Sequence, residues 1–149
     1  SMVLTASRGL YLYIEMLTTA LSDEIVTDDE ASILKVLAIA LGVSPFDVGD
    51  AMDVARGIDP SPIADATEYS QHHIGDATTY QSALVAALDD EVITEDEWAI
   101  LEQLRTLLGI QSDQHALIEE SIRSMSESDA NGERRLKRLE RFNTVCPYF

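Results

Sequence analysis

Eight side chains pose the chemical question. Asp23, Glu24, Thr27 and Glu30 fall within one short stretch, and Asp90, Glu91, Thr94 and Glu97 repeat the same four residues 67 positions later. Carboxylates and a hydroxyl are hard oxygen donors, the ligand class that Ca2+ takes. With Glu30 at position 12 of a calcium loop, Thr27 falls at 9, Val26 at 8, Glu24 at 6 and Asp23 at 5. Thr19 and Leu21 then occupy the first and third ligand positions, as do Ala86 and Leu88 in the second copy. The back half of a loop is present twice, while the front-half carboxylates and the turn Gly are missing. Weak Ca2+ binding is therefore the first expectation. The competing reading needs no metal: Thr27/Glu30 and Thr94/Glu97 fit capping boxes, with Ile25-Val26 and Val92-Ile93 plugging the gap between helices.

The elements that carry these residues are themselves duplicated. Residues 13–42 and 80–109 share 14 identities in 30 positions at a constant offset of 67, so one helical unit is read twice. A helix is expected from about Ala6 to Leu21, with Leu10, Ile14, Leu17 and Leu21 on one face. The next begins at Thr27 and carries Ile33, Leu34, Leu37, Ala40 and Leu41. Its copy begins at Thr94 and carries Ile100, Leu101, Leu104, Leu107 and Leu108. Gly42 and Gly109 are placed to end these helices as left-handed caps. A third helix of each copy starts at Ser44-Pro45 or Ser112-Asp113 and runs to about Arg56 or Met125.

Residues 57–62 break the chain, and a short fourth helix is expected from about Pro62 to His73. Its counterpart would run from about Asp129 to Phe142. The pattern predicts an all-α, two-fold internally repeated helical bundle of about 7–8 helices. Its repeats lie at about 6–57 and 76–126 of a domain spanning 3–126, and residues 127–149 form a basic C-terminal helix and tail.

Composition narrows the partners. A net charge of −17 repels nucleic acid and anionic lipid, and favours cations and basic proteins. It is equally what surface solubility or adaptation to salt would produce. No apolar run approaches the ~20 residues that cross a bilayer, and no basic-then-apolar leader opens the sequence. A cytoplasmic location is expected on those grounds. The lone Cys146 offers neither an internal disulfide nor a cysteine metal site.

The stretches 20–30 and 87–97, with the Leu-Gly endings at 41–42 and 108–109, resemble the tellurite-resistance TerB-like family. The resemblance covers about residues 10–126. It implies an all-helical fold of two related halves, divalent cation binding at the acidic turns, and a link to stress-response assemblies at the membrane. The chain departs from the family where the turn Gly is replaced by Glu24 and Glu91.

Arg134, Arg135, Lys137, Arg138 and Arg141 gather half of the chain's basic residues beside Leu136, Leu139 and Phe142. This segment is expected either to fold onto the acidic body or to dock an anionic partner such as a membrane surface or RNA. His72-His73 beside Asp76, with His115 apart, reads as a solvated helix end more readily than as a metal site. Tyr11, Tyr13, Tyr69 and Tyr80 are expected at the core boundary. No phosphate-binding Gly loop, Gly-x-Ser-x-Gly or His-Glu-x-x-His occurs, and no catalytic constellation is legible. Two functions follow as expectations: a non-enzymatic module binding Ca2+ at its duplicated turns, or a metal-free adaptor whose acidic face receives a basic protein.

Overall fold

Apolar residues recurring every three or four positions fold this chain into helices. The computed structural model describes residues 4–23, 25–88 and 92–127. Six α-helices lie among them: α1 Arg8–Ala20, α2 Asp28–Ala40, α3 Val48–Ala55, α4 Asp76–Ala87, α5 Glu95–Leu108 and α6 Ser112–Glu127. Three 3-10 turns, Leu21–Asp23, Pro45–Asp47 and Ala66–Tyr69, complete the set, and the described residues contain no strand. The chain is all-α, with fewer α-helices among the described residues than the 7–8 expected.

The core lies where α1, α2, α4 and α5 meet. Helix α1 packs on α5 and α3, α4 packs on α2 and α5, and α6 rests on α4. Leu17, Leu37, Leu84 and Leu104, one from each central helix, are fully buried. Each contributes about 1.5–3 kcal/mol by leaving water. Tyr13 and Tyr80, expected at the boundary, have no exposed surface and sit in the centre. Tyr11 and Tyr69 do stay at the edge, their rings stacked at 5.8 Å and 22°. Ala40, expected inside, is exposed. Helix α1 approaches the end of α2 so closely that a methyl on Gly9 would collide with the Leu41 carbonyl oxygen. Only a glycine allows that crossing.

Caps close the helices much as the sequence requires. Gly42 and Gly109 adopt φ of 74° and 67°, the left-handed conformation expected of them. Ser44 accepts from the Phe46 N–H, but what it opens is the 3-10 turn, and α3 begins only at Val48. Ser112 is the first helical residue of α6 rather than its cap. There the Gln111 N–H donates to Gln114 Oε1 at 2.8 Å.

The fourth helix expected from Pro62 to His73 does not form, and only Ala66–Tyr69 makes a 3-10 turn. Asp65 explains part of this, because its carboxylate accepts from the Thr67 N–H at 3.0 Å and the Thr67 hydroxyl at 2.6 Å. Such local bonds offer the backbone an alternative to helix. His72 and His73 therefore lie on an exposed non-helical segment instead of a helix end. The expected helix at 129–142, with Arg134, Arg135, Lys137, Arg138 and Arg141, and Cys146 beyond it, lies outside the described residues. No helix among the described residues is long and apolar enough to cross a membrane.

Candidate functional site

Thr27 and Thr94 hold the two acidic turns in one geometry. Their backbones stand at φ/ψ of −74°/164° and −73°/164°. The Thr27 N–H donates to Glu30 Oε1 at 3.0 Å, and the Glu30 N–H donates to Thr27 Oγ1 at 3.2 Å. In the second turn the matching distances are 2.9 and 3.2 Å, and the Thr94 hydroxyl also donates to Glu97 Oε1 at 3.0 Å. Both capping boxes read from the sequence are present.

Their consequence for metal chemistry is specific. Glu30 and Glu97 keep only 3% and 2% of their surface exposed, and Oε1 of each is engaged by its own cap. A calcium loop needs this residue as a bidentate ligand turned toward the ion. Of the other expected ligands, Glu24, Asp90 and Glu91 lie outside the described residues, and only the backbone of Asp23 is described. The structure thus brings Thr27 to Glu30 and Thr94 to Glu97, as caps.

The apolar pair before each cap divides in two. Val26 and Ile93 pack on the core, as a plug should. Ile25 and Val92 do not, and are 68% and 67% exposed. They occupy the same place in the two copies. Each stands just before a helix whose first turn is acidic, Asp28-Asp29-Glu30 in one case and Glu95-Asp96-Glu97 in the other.

Two polar clusters escaped the sequence reading. At the start of α1 and α4, the Arg8 guanidinium grips both oxygens of the buried Asp76, and Asp76 Oδ2 also accepts from the His73 N–H at 2.8 Å. Burial alone would raise the Asp76 pKa. The Arg8 and His73 hydrogen bonds and the nearby positive charge outweigh it and hold the carboxyl below its ordinary range. Asp76 is therefore committed to Arg8 rather than to a histidine metal site.

The second cluster centres on His115. The Tyr80 hydroxyl lies 2.6 Å from His115 Nδ1, and His115 Nε2 lies 3.0 Å from Glu119 Oε2. Arg123 holds the other Glu119 oxygen at 2.8 Å. Arg105 closes the junction of α5 and α6 by donating to the Ile110 carbonyl at 3.0 Å, and pairs with Glu102 at 2.9 Å. The His115, Glu119 and Arg123 ladder was visible as a spacing of four along one helix face. Its meeting with Tyr80, 35 residues away, was not.

Compared with protein-family models, with curated proteins and with solved structures, the chain finds no match.

Proposed function

We propose that the protein is a non-enzymatic, acidic helical binding module that receives a basic protein segment at its two turns. The observation that supports this best is the matched exposure of Ile25 and Val92 beside acidic helix starts. One exposed aliphatic residue is ordinary. The same position left in water in both copies favours a recognition role, with apolar contact from Ile25 and Val92 and attraction from Asp28, Asp29, Glu95 and Asp96. The net charge of −17 favours the same partner by drawing cationic segments toward the surface.

The two-fold repeated architecture belongs to this proposal. Contacts of α1 with α5 and of α4 with α2 are what two copies of one hairpin would make on exchanging partners. Resemblance to the tellurite-resistance TerB-like family adds a setting, a stress-response assembly reaching the membrane through other proteins or through the basic segment at 134–141. In this reading the turns are caps first. Calcium is the competing proposal, and it would have to draw on Asp23, Glu24, Asp90 and Glu91 while Glu30 and Glu97 stay in their caps.

One experiment separates the two. Trp98 adjoins Glu97, so its fluorescence is followed as the full chain is titrated with millimolar calcium at low salt, and in parallel with a Lys/Leu amphipathic peptide. The adaptor reading expects a saturable response to peptide that is lost in Ile25→Asp/Val92→Asp, with no response to calcium. A calcium response abolished by Asp90→Asn/Glu91→Gln, with no peptide binding, would replace it with the cation reading.

A further inference from the structure

We propose that the basic segment at 134–142 folds back on its own chain and covers the apolar corner made by Ile39, Gly42 and Phe46. The proposal rests on the two-fold architecture inferred above and is independent of any partner at the acidic turns.

The corner lies where α2 ends. Ile39 stands in the last turn of α2, Gly42 follows in the left-handed conformation, and Phe46 lies in the 3-10 turn before α3. The Gly42 N–H donates to the Ile39 carbonyl at 3.1 Å, which closes the bend. Ile39 and Phe46 are 36% and 81% exposed. Covering them would remove apolar surface from water.

The second copy shows what covers this place. Gly109 ends α5 as Gly42 ends α2, and the His72 imidazole lies so close that a methyl on Gly109 would collide with the ring. His72 belongs to residues 56–75, which leave α3 and cross to α4, with Tyr69 stacked on Tyr11 on the way. The first half thus lends a segment to the end of α5. At Gly42 the same added methyl would meet nothing within 4 Å among the described residues. The neighbours differ to match. Ile39 corresponds to Thr106, and Phe46 corresponds to Gln114 once the one-residue insertion after Gly109 is allowed for. A histidine covers the polar copy, and the apolar copy suits leucine and phenylalanine.

The segment after α6 is to the second half what residues 56–75 are to the first. His72 comes 17 residues after the end of α3, and Phe142 comes 15 after the end of α6, so their reach is alike. Leu136, Leu139 and Phe142 supply the apolar complement. The five basic residues between 134 and 141 supply the charge, because Asp47 and Asp50 follow Phe46 directly on a chain of net charge −17. Any external anionic partner would have to compete with this body for the same arginines.

The test places a nitroxide on the single Cys146 of the full, isotope-labelled chain and reads amide broadening by nuclear magnetic resonance. Signals at 39–50 should lose intensity and recover when the nitroxide is reduced. Ile39→Asp/Phe46→Asp should abolish the broadening, with circular dichroism reporting the fold. Leu139→Asp/Phe142→Asp should abolish it equally without touching the body, and decides the matter if the first variant does not fold. Broadening centred on 25–30 or 92–97, no broadening in the body, or broadening unchanged in Leu139→Asp/Phe142→Asp would overturn the proposal. Broadening of an isotope-labelled, nitroxide-free chain by a second, nitroxide-bearing copy would overturn it too, by placing the contact between molecules. Peptide titration at the turns reads the earlier proposal separately, so either can fail alone.

Discussion

Arg8 and Asp76, 68 positions apart, face each other through two parallel hydrogen bonds of 2.9 and 2.8 Å. They tie the first turn of α1 to the first turn of α4. The side chains retain 19% and 7% of their exposure, so water screens the pair only partly. Removing one partner from a pair this enclosed leaves the other charge poorly compensated.

Asp76→Asn is expected to destabilise the fold by about 3 kcal/mol, measured by thermal or urea unfolding at neutral pH. The pH dependence has a definite sign. Because the folded pKa lies below the unfolded one, the stabilisation is complete above the unfolded value of about 3.9. It is lost as pH falls through the folded value. The gap between wild type and Asp76→Asn should therefore close on acidification; a gap that widened would refute the assignment.

Thr27→Ala and Thr94→Ala should each cost about 1 kcal/mol, and Thr→Ser at either place much less. The two turns share one cap geometry, so the two costs should agree closely. A large difference between them in chemical denaturation would show that one turn carries a second structural duty.

Two glycines in helices should respond in opposite directions. Gly9→Ala drives a methyl into the Leu41 carbonyl and is expected to lose about 1–3 kcal/mol. Gly49, in α3, faces open space, so Gly49→Ala should gain about 0.5–1 kcal/mol. Paired melting curves read both signs.

Ile25→Asp and Val92→Asp should leave stability within about 0.5 kcal/mol of wild type, since the two residues are 68% and 67% exposed. Loss of basic-peptide binding at unchanged melting temperature is the expected result. A drop in melting temperature would instead make these residues part of the fold.

How much of this was legible follows from the range of each interaction. Thr27 with Glu30, Thr94 with Glu97, and the Gly42 and Gly109 ends are contacts within a few residues, and the sequence displays them directly. The helix expected at 62–73 failed because Asp65 and Thr67 satisfy the backbone locally, a competition that hydrophobic spacing does not register. Ile25 and Val26 look alike in sequence, yet one is exposed and the other packed, because only the three-dimensional path of the turn sets which side faces the core. Arg8 with Asp76 and Tyr80 with His115 are long-range pairs that depend on how helices are laid together, and no spacing rule announces them.

The matched exposure of Ile25 and Val92 has a consequence for stoichiometry. In the binding role proposed above, one polypeptide presents the same exposed aliphatic position twice, on the turns before α2 and α5. A partner with a single basic segment would gain only a weak hold. A partner carrying two such segments on a linker of suitable reach would meet the second position at high effective concentration, and avidity could exceed either contact alone by about 10²–10⁴. Selectivity would then lie in the spacing of the partner's segments, with each position contributing little on its own.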